Sequence, residues 1–126
     1  MPAEWARHER TLMAWPARAE LWQAQLAQAK SDYAATATAV AAFEPLTMVC
    51  ADEAAAAEAR AALPGEVDVV VEPIDDSWLR DSGPIFVLDD DGRRAGVHFG
   101  FNSWGEKFTP YDGDAAVGGE IGRAHV

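Results

Sequence analysis

Two short apolar runs flank an alanine-rich stretch between residues 46 and 71. The runs cover 46–50 and 67–71, and the stretch between them is predicted to form a helix over about 52–63, ended by Pro64 and Gly65. A strand, a helix and a strand joined by links this short form a βαβ unit, so the two strands are predicted to be parallel neighbours. Ligands of α/β sheets bind beyond the carboxyl ends of the strands. The segment after residue 71 is therefore where a site is expected.

The rest of the chain adds a long helix and a hairpin. A helix is predicted over 20–43, because apolar residues recur there every three or four positions. A hairpin is predicted from strands at 85–88 and 95–99, which flank a turn containing Gly92. The tail after residue 109 has no clear periodic pattern. The apolar stripe of the long helix consists of Trp22, Leu26, Ala29, Tyr33, Ala37 and Val40.

Length and composition set broad limits. The chain has 126 residues, enough for one modest core, so one domain over 1–126 is predicted. A net charge of −11 argues against a nucleic-acid binder, which needs a basic face. Cys50 is the only cysteine, so no internal disulfide can form. The first residues are highly charged and contain no long apolar run, so neither a signal peptide nor a membrane anchor is predicted, and the cytoplasm is the expected location.

The chemically densest stretch lies just beyond the second strand of the βαβ unit. Asp75, Asp76 and Asp81 stand close together with Trp78 and Arg80. Crowded carboxylates repel one another unless a positive group lies among them, and a cationic ligand would supply that group. Carboxylates bind a planar guanidinium through paired, charge-assisted hydrogen bonds, and an indole ring can stack on the cation. The pattern is thus compatible with a guanidinium site.

Two other interpretations of this stretch stay open. The first is a solvated acidic loop in which an aspartate caps a turn and Trp78 belongs to the core. The second is a site for Mg²⁺ or Ca²⁺, although the spacing fits neither an EF-hand loop nor a zinc HExxH motif. Outside the stretch, His8 and His98 are interpreted as structural. Cys50 ends a buried-looking strand with acidic neighbours, which is a poor setting for a nucleophilic thiolate.

Four segments together resemble the family of agmatine deiminases and bacterial-type peptidylarginine deiminases. They are MPAEWARHERTLMAWP at 1–16, DDSWLRDSGPIFV at 75–87, FGFNSWGEKF at 99–108 and, more loosely, the spacing of Asp114, Val117 and Ile121. The resemblance implies the pentein fold, an α/β propeller of five βαβ-like modules around a polar channel. This chain would contribute only its first modules, as the N-terminal part of a longer deiminase.

The resemblance also implies roles for particular residues. Asp81 corresponds to the catalytic carboxylate that holds the guanidinium nitrogens. Asp75, Trp78 and Trp104 correspond to substrate-pocket residues, and Asp76 is a possible substitute for Asp75. In addition, Asn102 is expected to support the pocket and Trp15 to pack beneath it.

The family's chemistry is attack of a cysteine thiolate on the guanidinium carbon, loss of ammonia, and hydrolysis of the amidino-cysteine intermediate. The family's nucleophile, its His-x-Asp segment and its second substrate carboxylate match no position of these 126 residues. The implied reaction is conversion of agmatine to N-carbamoylputrescine in putrescine biosynthesis, with no metal or organic cofactor. Peptidylarginine is the competing substrate, and a guanidinium-binding remnant without catalysis is the alternative from another class. The sequence predicts no particular oligomeric state.

Overall fold

The computed structural model describes residues 2–3 and 5–125. The chain forms two compact units. The first unit is His8–Ser77, and the second consists of the residues from Trp78 onward together with the described residues before residue 8. The single domain expected over 1–126 stays a prediction.

The first unit contains three strands and three helices. Its elements are β1 (Thr11–Ala14), α1 (Ala19–Trp22), a 3₁₀ turn (Gln23–Gln25), α2 (Leu26–Ala41), β2 (Leu46–Cys50), α3 (Glu53–Ala62) and β3 (Asp68–Val71). The second unit contains α4 (Leu79–Ser82), β4 (Ile85–Leu88), β5 (Arg94–Val97), α5 (Ser103–Glu106) and α6 (Asp112–Ala124).

The predicted βαβ unit is present, and a further strand extends its sheet. The strand order is β1-β2-β3 with all pairings parallel, so Met48 of β2 lies between Met13 of β1 and Val69 of β3. Strand β1 was not predicted because its four residues carry no alternating pattern. The central strand β2 is buried along its whole length, as expected for a parallel strand covered on both faces.

Helix α3 lies close to the sheet because its inward residues are small. Ala56 and Ala59 are fully buried, and Leu63 closes the end of the helix. At the start of the helix, the carboxylate of Asp52 accepts a hydrogen bond from the backbone N–H of Ala55 at 2.7 Å, which satisfies one of the free donors of the first turn. The core of the unit comprises Trp15, Ala37, Leu46, Met48, Cys50, Ala56, Ala59, Leu63 and Val67.

The long helix predicted over 20–43 is interrupted. Gln23 has a φ of +48°, which α-helical backbone does not allow, so a 3₁₀ turn separates α1 from α2. The apolar stripe is nevertheless confirmed, since all six of its residues are buried or half-buried. The interruption therefore breaks the helix but leaves the apolar residues on both sides of it buried or half-buried.

The predicted hairpin is confirmed, with β5 starting and ending earlier than expected. Strands β4 and β5 are antiparallel, and Phe86 is paired with Gly96. In the turn, Asp89 Oδ1 accepts hydrogen bonds from the backbone N–H groups of Asp91 and Arg93, at 3.0 and 2.8 Å. Gly92 supplies the left-handed residue of the turn, with a φ of +79°.

Helix α6 was not predicted, and its glycines explain why. Gly118, Gly119 and Gly122 lower the intrinsic helix propensity of this segment. Because glycine has no side chain, they also interrupt the apolar periodicity that would predict a helix. In the structure the same glycines allow a close approach: a Cβ atom added at Gly118 would lie 2.5 Å from the backbone oxygen of Ser82 in α4. One added at Gly96 of β5 would lie 3.2 Å from the Cα of Gly122. Packing of α4 and β5 against α6 therefore stabilises a helix that local propensity disfavours.

Within the part of the chain that the structure describes, no helix is long and apolar enough to cross a bilayer.

We expect Gly118→Ala to destabilise the protein by about 1–3 kcal/mol, because the added methyl group must displace the α4 backbone. The matched control is Gly119→Ala in the same helix, where the added methyl group meets only side chains, the His98 ring at 3.3 Å and the Arg123 guanidinium at 3.9 Å. That variant should be neutral or gain up to about 1 kcal/mol from helix propensity. Urea unfolding of both variants measures the difference, and equal stabilities would contradict the proposed contact between α4 and α6.

Candidate functional site

The boundary between the two units falls inside the DDSWLRDSGP motif. Asp75 and Asp76 belong to the first unit, where they follow β3. Trp78, Asp81 and Trp104 belong to the second unit. The predicted site residues therefore fall into two groups, one in each unit.

Asp76 is a buried carboxylate that holds α1 against the loop after β3. Both of its oxygens accept from the indole Nε1 of Trp22, at 2.9 and 3.1 Å, and the backbone N–H of Ala17 approaches Oδ1 at 3.4 Å. Asp75 is half-buried. The substrate role expected for Asp75 stays a prediction.

Asp81 lies on α4, a single helical turn with buried anchors on either side. Leu79 and Ser82 are buried, and the N–H of Gly83 donates to the Leu79 carbonyl at 2.8 Å. The Asp81 side chain is exposed, and within residues 2–3 and 5–125 its carboxylate has no hydrogen-bond or ion-pair partner. The turn thus presents a carboxylate whose acceptor oxygens are open to a cationic ligand.

An aromatic cluster lies in the same unit and includes two of the predicted residues. Trp78 and Trp104 meet edge to face with ring centres 5.7 Å apart. Trp104 also meets Phe101 at 5.3 Å and Phe108 at 6.0 Å, and Phe101 meets Tyr111 at 6.5 Å. Each such pair contributes about 0.5–1.5 kcal/mol beyond its buried area, so the cluster fixes the ring of Trp104. Phe101, Phe108 and Tyr111 were not predicted as site residues.

Trp104 is carried by a left-handed turn. The backbone φ is positive at every position of α5, with values of +51° at Ser103, +55° at Trp104, +86° at Gly105 and +61° at Glu106. Only glycine adopts this conformation without strain, and a bulky residue such as tryptophan does so rarely. Strained backbone of this kind clusters at functional sites, because it persists only where the surrounding structure imposes it.

The residues around this turn supply the hydrogen bonds that hold it. Asn102 Oδ1 accepts from the N–H of Gly105 at 3.1 Å, and its carbonyl accepts from the N–H of Glu106 at 2.7 Å. The hydroxyl oxygen of Ser103 accepts from the N–H of Phe108 at 3.2 Å. Asn102 therefore caps the turn that contains Trp104, while its expected role in supporting a substrate pocket stays a prediction. Trp104 remains 46 % exposed, which leaves ring surface for a ligand.

Three further residues singled out in the sequence have surroundings that suit structural roles. Trp15 is buried in the core of the first unit. His8 Nδ1 lies 3.2 Å from a carboxylate oxygen of Glu44, at an exposed position. His98 lies against α6, where its ring would meet a methyl group added at Gly118 or Gly119.

Within the described residues, no three His, Cys, Asp or Glu side chains are grouped so that they could hold a metal ion.

Cys50 is buried in the central strand, and this burial raises the pKa of its thiol to about 11. The nearby carboxylates of Asp52 and Glu58 act in the same direction, while the Arg60 guanidinium acts against them. A thiol in this state is protonated at neutral pH and is a poor nucleophile.

Cys50 should therefore resist alkylation in the folded protein. At pH 8 only about one thiol in a thousand is ionised when the pKa is near 11, and the core also excludes the reagent. We expect iodoacetamide to modify the native protein at least about a hundredfold more slowly than the urea-unfolded protein, followed by mass spectrometry. Equal rates in the two states would contradict the buried, neutral thiol.

Comparison with known proteins assigns the chain to a family. The family model described as Porphyromonas-type peptidyl-arginine deiminase matches residues 1–126. The agmatine deiminase of Stutzerimonas stutzeri (strain A1501) is 49 % identical over 108 residues, which cover 85 % of this chain and 29 % of that protein. The agmatine deiminase of Pseudomonas fluorescens (strain SBW25) is 40 % identical over 126 residues, covering 96 % of this chain and 34 % of that protein.

Solved structures agree with this assignment. The agmatine deiminase of Enterococcus faecalis superposes with a TM-score of 0.92 at 31 % identity, over 98 % of this chain and 35 % of that one. The chain thus spans about a third of the length of these relatives and has the corresponding part of their α/β fold, which confirms the fold class as a partial one. The family match over all 126 residues shows that the chain belongs to the Porphyromonas-type peptidyl-arginine deiminase family.

Proposed function

We propose that this chain forms the guanidinium-binding part of a deiminase that hydrolyses agmatine to N-carbamoylputrescine and ammonia. In this proposal Asp81 holds the guanidinium nitrogens, and Asp75, Trp78 and Trp104 line the substrate pocket. The family assignment supports the reaction class, and the geometry of the described residues supports the assignment of the carboxylate.

The observation that carries the proposal is the state of Asp81. Its neighbour in the motif, Asp76, is buried and engaged, whereas Asp81 is exposed and has no partner in the described part of the chain. A carboxylate held on an anchored turn can accept two parallel hydrogen bonds from a guanidinium with little reorganisation. Such a bond pair also fixes the plane of the guanidinium and so aims its central carbon at a nucleophile.

The aromatic residues supply the second part of the proposed pocket. Trp78 starts the turn that carries Asp81, and its ring contacts that of Trp104. The face of an indole attracts a guanidinium with about 0.5–2 kcal/mol, more when water is excluded. The strained turn around Trp104 would keep this ring in place before the ligand arrives, which reduces the entropy lost on binding.

The nucleophile of the proposed reaction is not Cys50, whose thiol is buried and neutral. In the covalent route a thiolate adds to the guanidinium carbon, the C–N bond to the leaving nitrogen breaks, and that nitrogen departs as ammonia once protonated. Water then adds to the amidino carbon, and the C–S bond breaks to release the ureido product. This chain would contribute binding and orientation, and residues outside it would contribute the thiolate and the general acid and base.

Agmatine is favoured as the substrate by the three deiminases compared above, all of which are named for it. The description of the family model favours peptidylarginine as the second candidate. Comparing turnover of agmatine with that of an arginine-containing peptide in the assembled enzyme decides between them. We further propose that the complete fold is a five-bladed propeller and that the enzyme acts in the cytoplasm, in putrescine formation.

Asp81→Asn is the most direct test of the proposed carboxylate. It would be made in a deiminase chimera, in which this chain replaces the matching part of the P. fluorescens enzyme. The amide presents donors to the donors of the guanidinium, so the charge-assisted pair is lost. We expect kcat/KM for agmatine to fall by about a hundredfold, or about 2.7 kcal/mol, with kcat affected as well as KM.

Asp90→Asn is the matched control in the same unit. Asp90 is exposed on the hairpin turn and, in the described part of the chain, has no partner either. It is a better control than Asp89, whose carboxylate holds the turn together. Asp90→Asn should change kcat/KM less than about twofold. Similar losses in Asp81→Asn and Asp90→Asn would remove Asp81 from the proposed site.

The 126-residue chain alone should release no ammonia from agmatine, since it holds a guanidinium-binding carboxylate but no activated thiol. A coupled ammonia assay with the purified chain measures this. Turnover that disappears in Cys50→Ala would show that Cys50 is a nucleophile and that the route proposed above is wrong.

A further inference from the structure

The hairpin of the second unit has one partly covered face. Directly opposed residues of an antiparallel pair, such as Phe86 and Gly96, point to the same side. Gly96 lies against Gly122 of α6, and the Arg94 guanidinium donates to the His125 carbonyl at 2.8 Å. The Arg94 side chain also lies 5.9 Å from the ring centre of Phe86. Helix α6 therefore covers part of this side, next to Gly96, while Leu88 on the same side remains 48 % exposed.

The opposite side, termed the outer hairpin face, consists of Ile85, Val87, Ala95 and Val97. Ile85 is paired with Val97, and Val87 with Ala95. All four side chains are apolar, and yet Ile85 is 42 % and Val97 36 % exposed. Just beyond β5, Phe99 is 66 % exposed. A hairpin exposed to water on one side normally alternates apolar with polar residues, and this one does not.

A pattern of this kind is typical of strands that are covered on both faces. We propose that the outer hairpin face is the docking surface for the part of the deiminase fold that the relatives possess beyond the region matched by this chain. The proposal rests on the family assignment and on the hairpin geometry, and it does not depend on the role of Asp81.

The comparison with solved structures favours this occupant over a second copy of the chain. The E. faecalis deiminase contains the whole fold of this chain, with a TM-score of 0.92, and that region makes up only 35 % of it. About two thirds of such a fold lies outside the matched region, and an apolar face left open on that region fits a contact within the fold. A contact between two copies of the chain could also bury this face. It would not explain where the remaining part of the relatives' fold packs.

Cysteine labelling tests the proposal without relying on turnover. Ile85→Cys would be introduced, in a Cys50→Ala background, into the isolated chain and into the deiminase chimera. We expect a maleimide to modify Ile85→Cys at least about tenfold more slowly in the chimera than in the isolated chain, because the added part covers the face. Rates are followed by peptide mass spectrometry, which separates this position from other cysteines of the chimera.

Asp90→Cys, at the tip of the same hairpin, is the control for general accessibility and should be labelled at similar rates in both proteins. Equal labelling of Ile85→Cys in the two proteins would overturn the proposal. A stable dimer of the isolated chain in which Ile85→Cys is protected, seen by light scattering, would assign the face to a second copy and would also overturn it.

A charge substitution gives a second, independent readout. Val97→Asp places a carboxylate on the outer hairpin face, and Phe43→Asp places one at an exposed apolar position of the first unit. When the tagged chain is co-expressed with the remaining part of the P. fluorescens deiminase, we expect the wild type and Phe43→Asp to co-purify with it at equal stoichiometry. Val97→Asp should retain less than about a tenth of the partner. Equal recovery with Val97→Asp and Phe43→Asp would contradict the assignment of the face.

Discussion

The two-sided pairing of β2 is the constraint on which the first unit depends. This strand is hydrogen-bonded to β1 along one edge and to β3 along the other, and all its side chains are buried. A buried parallel strand must have both edges satisfied, because an unpaired N–H or C=O in the core costs about as much as a lost hydrogen bond. The alanines of α3 then allow a helix to cover the sheet closely. Cys50 is the last residue of this buried strand, and its burial raises the pKa of the thiol, which therefore stays neutral.

Two aspartates of the motif after β3, Asp76 and Asp81, have different surroundings. Asp76 is buried and is held by the Trp22 indole, so its energetic role is to satisfy a buried donor and fix a loop. Asp81 is exposed on α4, and buried neighbours keep that turn in position. A carboxylate in water loses little free energy by lacking a partner, but it can gain a charge-assisted pair when a cation displaces its water. This contrast makes Asp81 the candidate for substrate binding.

In the second unit, α6 packs closely against α4 and β5 because glycines lie at the contacts. Gly118 allows α6 to contact the backbone of α4, and Gly96 of β5 allows that strand to approach Gly122 of α6. The helix thus joins the turn that carries Asp81 to the hairpin that carries the outer hairpin face. A shift in this packing would change the position of both, so the glycines of α6 matter to the proposed site although none of them touches a ligand.

The sequence by itself determined the βαβ unit, the hairpin, the apolar stripe of the long helix and the stretch that holds the candidate site. These features follow from local periodicity, turn residues and a distinctive motif. Each of these signals depends only on residues that are close together in the sequence. The resemblance carried by the motif also indicated the family. Trp78 and Trp104 both lie in segments that carry the resemblance, and their rings meet in the structure.

Only the tertiary structure decided which aspartate is engaged and which is open, because that depends on Trp22, far away in the sequence. It also revealed α6, whose glycines contradict helix propensity until α4 and β5 pack against them. The left-handed turn under Trp104 has the same origin, since no local preference places a tryptophan at positive φ. Local patterns specify elements, whereas close packing and long-range hydrogen bonds select among conformations that neighbouring residues alone do not favour.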